Sequence, residues 1–302
     1  MLKMTIFFLL FSSSLWSMDL SIAYLKGKDQ TLASEVSALQ KYKVLIIPGV
    51  LAQSFISDSN NQIKLTFLFE DGFKEQIKLL ETLKIEYEFL NLETENSPGK
   101  NALAITNVIE KSILPVLIYS HSKGGLDVLE AIRQNPGLLV KIHGWASIQS
   151  PFWGAPVASG FNNNLVLRDS SNNLFEWMGG DASGMSSLTI EERNTYMDTN
   201  EIKNLLIVIN QKIKFLNFAS YKTNTLGIDT PLELFRNYTD LSDGANDGVV
   251  PLKSALMKEH GVDINFIIEE EVDHLMTMTR YRLDNNQYSQ KTHTISVLKL
   301  LL

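Results

Sequence analysis

A serine in a tight turn is the first residue of this chain whose surroundings suggest chemistry. Ser122 lies in the hexapeptide Ser-His-Ser-Lys-Gly-Gly (120–125), between an apolar run (114–119) and apolar residues spaced three apart along 126–132. A strand that becomes a helix within so few residues forces its central residue into an uncommon backbone geometry and requires small residues two positions away. We therefore expect Ser122 at the tip of the turn, beside the free N–H groups of the helix.

Such a serine acts as a nucleophile only with help from other side chains. A hydroxyl is a poor nucleophile near neutral pH, so it needs a base within hydrogen-bond reach, and the base needs an acid that orients it. The alternative is a glycine-bearing turn in which the serine merely caps a helix. The candidate bases are the histidines of the chain, which are His121, His143, His260, His274 and His293.

The turn resembles the nucleophile elbow of the α/β-hydrolase superfamily, which is usually written G-x-S-x-G. Ser122 matches the nucleophile and Gly124 matches the second glycine, while Ser120 replaces the first glycine with another small residue. The resemblance implies a strand–turn–helix around a nucleophilic Ser122. It also implies that the acid and then the histidine follow the serine along the chain.

The order implied by this resemblance selects one histidine. His121 and His143 precede any candidate acid, and His260 precedes the last predicted strand, so that it should face the other end of the sheet. His293 lies near a predicted C-terminal helix. His274 follows the last predicted strand by a few residues, which makes it the expected base.

The acid is expected in a polar loop that precedes His274. Asp247 stands in Asn-Asp-Gly-Val-Val-Pro (246–251) and precedes His274 by 27 residues, enough for one helix and one strand. Asp243 and Asp240 remain alternatives for the acid. A plain turn, or a loop that binds a cation adventitiously, is a further interpretation of the segment.

Two backbone N–H groups are expected to bind the oxyanion that forms during acyl transfer. In this interpretation they belong to Val50, in the segment Pro-Gly-Val-Leu (48–51) after a predicted strand, and to Lys123, directly after the nucleophile. The side chain of Lys123 need not take part.

Three further segments resemble the secreted bacterial lipases of this superfamily. They are residues 150–158 (Ser-Pro-Phe-Trp-Gly-Ala-Pro-Val-Ala), 246–251 and 273–275 (Asp-His-Leu). The resemblance covers roughly residues 43–160 and 240–280. It implies a serine ester hydrolase that cleaves lipid-like or other apolar acyl esters without a cofactor. The alternatives are an acyltransferase with the same triad and a hydrolase-fold binding protein without turnover.

The chain departs from those lipases at two positions. They usually have His-Gly at the oxyanion turn, where this chain has Pro48-Gly49. Many also carry an aspartate two residues after the histidine that binds a structural calcium, and that position is Met276 here. No metal site is therefore carried over from the resemblance.

The elements around these residues predict an α/β protein with a doubly wound, mostly parallel sheet, as in the α/β-hydrolase fold. A short edge strand and a helix (about 32–39) are expected within residues 18–42. The other predicted strands are 44–47, 85–92, the run into Ser122, 142–148, 215–221 and 265–268.

The alternation of strands and helices stops between about residues 152 and 211, where we expect a cap inserted into a single domain of residues 18–302. Phe175 and Trp177, with Phe152 and Trp153, either line an acyl pocket or pack in the core.

The chain as a whole suits an exported enzyme. Its 302 residues include 44% hydrophobic residues, no cysteine and a net charge of −7, and no basic tract that would suggest nucleic acid binding. Residues 1–17 combine Lys3, an apolar run and a serine-rich end, as in a signal peptide cleaved near Ser14 or Ser17. The alternative is a buried first strand or helix. We therefore expect a secreted or periplasmic protein whose partners are a small-molecule or lipid ester and, transiently, a lipid interface.

Overall fold

The computed structural model describes residues 17–28, 30–50, 69–93, 96–163, 182–223, 232–282 and 288–302. The segment interpreted as a signal peptide, apart from Ser17, lies outside these ranges, as do Phe175 and Trp177. Within the described ranges no helix is long and apolar enough to cross a membrane.

The centre of the molecule is a six-stranded sheet in which every neighbouring pair of strands is parallel. The strand order is β2-β1-β3-β4-β5-β6. The strands are β1 (Lys43–Ile47), β2 (Glu86–Phe89), β3 (Val116–His121), β4 (Ile142–Ile148), β5 (Lys214–Tyr221) and β6 (Asn265–Glu270). The prediction of a doubly wound α/β sheet is confirmed.

Helices cover both faces of this sheet. They are α1 (Ser21–Gly27), α2 (Ala33–Leu39), α3 (Lys74–Thr82), α4 (Pro98–Lys111), α5 (Lys123–Gln134), α6 (Pro156–Asn163), α7 (Ala182–Ser186), α8 (Ile190–Met197), α9 (Asn200–Lys212), α10 (Glu233–Asp243), α11 (Leu252–Ala255) and α12 (Gln290–Leu300). Short 3₁₀ helices span Pro136–Val140 and Met257–His260.

The strands are apolar along most of their length because both faces of the sheet are buried. Successive residues point to opposite faces, so Leu45 and Ile47 pack with α4, α5 and α9, whereas Val44 and Ile46 pack with α1, α2, α3 and α12. The continuous apolar runs that identified the strands in the sequence follow from this two-sided burial.

The connections of β1 place a crevice at the carboxyl end of the sheet. β1 lies between β2 and β3, so the chain proceeds to one side of β1 first and to the other side afterwards. Ligands of open parallel sheets bind in the crevice formed at such a switch point. Pro48-Gly49-Val50 follows β1 and Ser122 follows β3, so both segments meet at this position.

The edge strand expected between residues 18 and 42 is wrong. Asp19 makes one isolated parallel bridge with Phe266 of β6, and the chain then enters α1. The Asp19 carboxylate accepts the Ser21 N–H at 2.9 Å, which turns the chain away from the sheet after that bridge. The helix expected at 32–39 is found at Ala33–Leu39.

The described residues between β4 and β5 form α6 to α9 and contribute no strand. α9 buries Ile202, Leu206 and Ile209 in the core beneath β4 and β5, so residues 200–211 form a sheet-packing helix. Phe152 and Trp153 are buried in the same core, and the Phe152 ring lies 6.3 Å from that of Trp145. Of the two interpretations of these aromatics, core packing describes Phe152 and Trp153.

Candidate active site

Ser122 occupies a sharp turn between β3 and α5. Its φ of 55° and ψ of −130° are uncommon for a residue with a side chain, and its N–H donates to the Ile148 carbonyl at 2.8 Å. A Cβ at Gly124 would lie 2.5 Å from the Ile47 carbonyl oxygen, so only glycine lets α5 start this close to the end of β1. Ser120 fits the place of the first glycine because it is buried and its hydroxyl accepts the Trp145 indole N–H at 2.8 Å.

The turn after β1 lies directly against the serine. A Cβ at Gly49 would stand 2.6 Å from the Ser122 Cβ, so the glycine permits this close approach. The Pro48-Gly49 pair therefore retains the glycine that the position requires. Val50 is the next residue, and Lys123 is the first residue of α5, so its N–H has no carbonyl partner within that helix.

A chain of hydrogen bonds joins the three side chains singled out in the sequence. The Ser122 Oγ lies 3.0 Å from His274 Nε2, and His274 Nδ1 lies 2.8 Å from Asp247 Oδ2. All three residues are buried, with exposed fractions of 6% for Ser122, 5% for His274 and 1% for Asp247. Because the carboxylate faces Nδ1, it favours the tautomer in which Nε2 is free to accept the serine proton.

Asp247 is held by the residues that follow it. Its Oδ1 accepts the N–H groups of Val249 at 2.9 Å and Val250 at 2.7 Å, which leaves Oδ2 for His274. Its backbone carbonyl also accepts the His274 N–H at 2.8 Å. Gly248 has a φ of 99° and forms the turn that directs these N–H groups to the carboxylate.

The two alternative acids lie elsewhere. The Asp243 carboxylate pairs with the Lys253 ammonium at 2.6 Å, and Asp240 is exposed on α10. Asp247 is thus the aspartate of this loop that the structure brings to His274.

Solved structures of esterases and lipases share this fold. A metagenomic carboxyl esterase, MGS0156, superposes on 87% of this chain and 76% of its own, with a TM-score of 0.64 and 17% identity. The mature lipase BlEst2 of Bacillus licheniformis superposes on 87% of this chain over 93% of the lipase chain, with a TM-score of 0.61 and 14% identity. Lipase 1 of Pelosinus fermentans matches over 87% of this chain and 100% of its own, with a TM-score of 0.51 and 13% identity.

This chain has the α/β-hydrolase fold. The resemblance stated from the motifs is confirmed at that level. No protein-family model and no curated protein sequence matches the chain.

The side chain of Lys123 is engaged inside this α/β-hydrolase fold. It is fully buried, and its ammonium bonds both oxygens of Asp127, one turn along α5, at 2.8 and 3.0 Å. Asn101 donates a further hydrogen bond to that carboxylate at 2.9 Å. Burial raises the pKa of Asp127, while the charge of Lys123 opposes that shift. Asp127 thus connects Lys123, in the first turn of α5, to Asn101 of α4.

The other histidines occupy separate environments. His143 contacts Tyr42, His260 stacks on Trp153 with 3.6 Å between ring centres, and His293 hydrogen-bonds the Tyr119 hydroxyl at 3.0 Å. His121 is buried beside the site, where its Nε2 donates to the His274 carbonyl oxygen at 3.0 Å. Burial, and next the proximity of His274, lowers the pKa of His121 to about 3, so this ring is neutral at neutral pH.

Sequence reasoning assigned no role to His121, although it directly precedes the serine. Its position in the elbow was the available signal, because a strand residue beside the nucleophile must lie near the base. Gln149, which contacts the loop carrying His274, was also missed, and nothing near it in the sequence marks it.

The described residues contain no cluster of three or more His, Asp or Glu side chains that could hold a metal ion. Met276, at the position where the resembling lipases place a calcium-binding aspartate, is buried, and its sulfur lies 3.4 Å from the Asp273 N–H. The Asp273 carboxylate accepts the N–H groups of Leu275 and Met276 and the Tyr281 hydroxyl at 2.9 to 3.0 Å. These oxygens therefore already have donors from the protein.

Proposed function

We propose that this protein is a serine hydrolase of carboxylic esters with apolar acyl groups. One observation carries the proposal, namely the hydrogen-bonded series from Ser122 Oγ through His274 to Asp247 at the carboxyl end of the sheet. A serine hydroxyl, an imidazole and a carboxyl group in that series are the groups that acyl transfer requires. The fold that the chain shares with esterases and lipases supports the same reaction class.

The first half-reaction makes an acyl-enzyme. His274 Nε2 takes the proton of the Ser122 hydroxyl while Oγ attacks the ester carbonyl carbon. The carbonyl oxygen becomes an oxyanion, which the N–H groups of Val50 and Lys123 bind. His274 then gives its proton to the leaving alcohol as the bond between the carbonyl carbon and the alkoxy oxygen breaks. Asp247 stabilises the imidazolium between these two transfers.

The second half-reaction releases the acid. Water enters where the alcohol left, His274 removes its proton, and its oxygen attacks the acyl carbon. The second tetrahedral intermediate collapses when His274 returns the proton to Ser122 Oγ. If an alcohol replaced water in this step, the same residues would perform acyl transfer.

The proposed substrate class and cellular location have separate support. Two of the superposed structures are lipases and one is a carboxyl esterase, which favours an acyl ester over an amide. The signal-peptide pattern of residues 1–17 supports export to the periplasm or medium, with a lipid interface as a transient partner. Mass spectrometry of the exported protein tests that location, since a retained Met1 would contradict it.

Labelling with an organophosphonate tests the nucleophile. We expect one adduct, on Ser122, together with turnover of p-nitrophenyl esters whose rate depends on acyl length. Ser122→Ala should abolish both. Ser120→Gly, which restores the glycine of the resembling motif, is the matched control and should retain both.

The products identify the reaction. Release of free acid in the presence of glycerol indicates a hydrolase, whereas accumulation of the glyceryl ester indicates an acyltransferase. An adduct on another residue, or ester turnover that survives Ser122→Ala, would contradict the proposal. A folded wild-type protein with neither labelling nor turnover would favour a binding protein.

A further inference from the structure

The loop that carries His274 is buried without belonging to a helix or a strand. Between β6 and α12 the chain runs through turns at 271–279, and Asp273, Thr277 and His274 have exposed fractions of 0%, 0% and 5%. Buried carbonyl groups need hydrogen-bond partners, and a loop cannot supply them from a regular backbone ladder. The shape of this loop therefore depends on donors from elsewhere in the chain.

Side chains from four separate parts of the fold donate to these carbonyls. Five carbonyl oxygens are involved, at 2.7 to 3.1 Å, and the pairs are Gln149 to Asp273, His121 to His274, Gln290 to Met276 and to Thr279, and Gln76 to Thr277. The donors come from the end of β4, the end of β3, α12 and α3. Each donor is buried, so water does not compete for the bond.

Gln149 makes the most connections of these donors. Its Nε2 donates to the Ser220 hydroxyl at 2.6 Å and to the Asp273 carbonyl at 3.1 Å, while its Oε1 accepts the Thr277 hydroxyl at 2.6 Å. One side chain thus joins the end of β5 to both sides of His274. Its backbone has φ of 51°, which is uncommon for a residue with a Cβ.

We propose that Gln149 is a positioning residue for the ester hydrolase reaction. It keeps the His274 imidazole in line with Ser122 and Asp247 by holding the loop on either side of that residue. This role rests on the proposed function, because it has meaning only if His274 moves protons.

The proposal predicts an effect on turnover and little effect on substrate binding. Proton transfer depends steeply on geometry, and a displacement of about 1 Å can lower a rate on the order of 10²-fold. Gln149 has an exposed fraction of 0% and its amide is bonded to Ser220, Asp273 and Thr277, so it presents no accessible atom to the substrate. Gln149→Met keeps an unbranched side chain of similar length and removes the amide. We expect kcat to fall on the order of 10- to 100-fold while KM stays within about twofold.

A second buried amide provides the matched control. Asn217 in β5 is equally buried, and its Oδ1 accepts the Met257 N–H at 3.0 Å, outside the histidine loop. Asn217→Leu should lower the melting temperature as Gln149→Met does, yet leave kcat within about twofold of wild type. A purely structural role for Gln149 would make the two variants behave alike.

Thr277→Val gives a milder test that keeps the shape of the loop. It removes the hydroxyl that Gln149 accepts, and we expect kcat to fall by about three- to tenfold. The losses of kcat from Gln149→Met and Thr277→Val should be less than additive in the double variant, because both substitutions remove the same hydrogen bond between Thr277 and Gln149. If Gln149→Met does not fold, Thr277→Val alone decides the question.

The outcomes separate this proposal from the proposed function. Kinetics should use a p-nitrophenyl ester together with the rate of organophosphonate labelling of Ser122. If wild type turns the ester over and the folded variants keep kcat within about twofold, the positioning role is overturned while the hydrolase proposal stands. If wild type neither turns over ester nor labels at Ser122, the proposed function itself fails. A parallel fall of kcat and labelling rate with constant KM supports Gln149 as the positioning residue.

Discussion

Two loops deliver the proposed partners of Ser122, and they differ in how much support they receive from distant side chains. The acid loop fixes Asp247 with the N–H groups of Val249 and Val250, two and three residues further on. The histidine loop depends on side chains 124, 153 and 201 residues away from the carbonyl groups that they hold. Asp273 closes a turn in the histidine loop in the same way as Asp247 does in the acid loop, so the difference lies in the distant side-chain donors that the histidine loop adds.

This difference has a consequence for how the site forms. A turn closed by nearby N–H groups loses little chain entropy when it forms, whereas contacts between distant residues require the intervening chain to fold first. Ser122, His274 and Asp247 can therefore align only when β3, β4, α3 and α12 are in place. Substitutions that loosen these elements should reduce turnover before they abolish the fold.

The largest expected effect is the loss of the acid. In the proposed mechanism, Asp247→Asn removes the charge that stabilises the imidazolium and disturbs the tautomer of His274. We expect kcat/KM to fall on the order of 10⁴-fold on a soluble ester, with the circular dichroism spectrum unchanged.

The neighbouring aspartates are the controls for that variant. Asp243 pairs with Lys253 and Asp240 is exposed, so Asp243→Asn and Asp240→Asn should retain most of the activity. Near-normal turnover in Asp247→Asn together with collapse in Asp243→Asn would show that the acid is misassigned. Activity in all three variants would argue against the Ser–His–Asp mechanism.

The contrast between the loops also explains which features could be predicted from the sequence. The elbow was recognisable because the small residues around Ser122 are adjacent to it in the chain. Asp247 was recognisable because Gly248 and the two valines that close its turn follow it directly. Continuous apolar runs predicted the strands of the sheet for a similar reason, since each strand is a local pattern buried on two sides.

The features that could not be predicted from the sequence depend on contacts outside the local pattern. The edge strand expected within residues 18–42 was wrong because the chain makes one isolated bridge at Asp19, and the contact between Asp19 and Ser21 then turns it into α1. Gln149 and Gln76 are ordinary residues in their local sequences, and only the assembled fold brings them to the histidine loop. Long-range hydrogen bonds of this kind leave no spacing that a sequence pattern can reveal.

Acidification is expected to have an intermediate effect, on the free energy of unfolding, because the neutral imidazole of His121 donates a hydrogen bond to the histidine loop. The pKa of His121 is about 3 in the folded protein and about 6.5 when the chain is unfolded. Below pH 6.5 the unfolded chain binds a proton that the folded protein does not, so stability is lost as the pH falls from 6.5 towards 3. This contribution amounts to about 2 kcal/mol between pH 7 and pH 5.

His121→Gln tests this account, because the amide can still donate a hydrogen bond but does not titrate. Urea unfolding at pH 7 and pH 5 should show a smaller pH-dependent loss for the variant, by about 2 kcal/mol. The half-buried His143 supplies the control, and His143→Asn should retain most of the wild-type dependence. Equal pH dependence in wild type and His121→Gln would show that His121 is protonated without penalty in the folded protein.

The smallest effect is expected from chelating calcium. This experiment tests whether the histidine loop needs an ion in addition to its side-chain donors. Many of the lipases that this chain resembles carry a calcium-binding aspartate two residues after the histidine, where Met276 offers no carboxylate. Here the Asp273 carboxylate accepts donors from Leu275, Met276 and Tyr281, and buried amides hold the carbonyls around it. An ion at this loop would have to displace those bonds.

Incubation with EDTA should therefore change kcat/KM by less than about twofold, and added calcium should not raise the melting temperature. A loss of activity on chelation that calcium restores and magnesium does not would show that the side-chain contacts alone do not hold His274 in place.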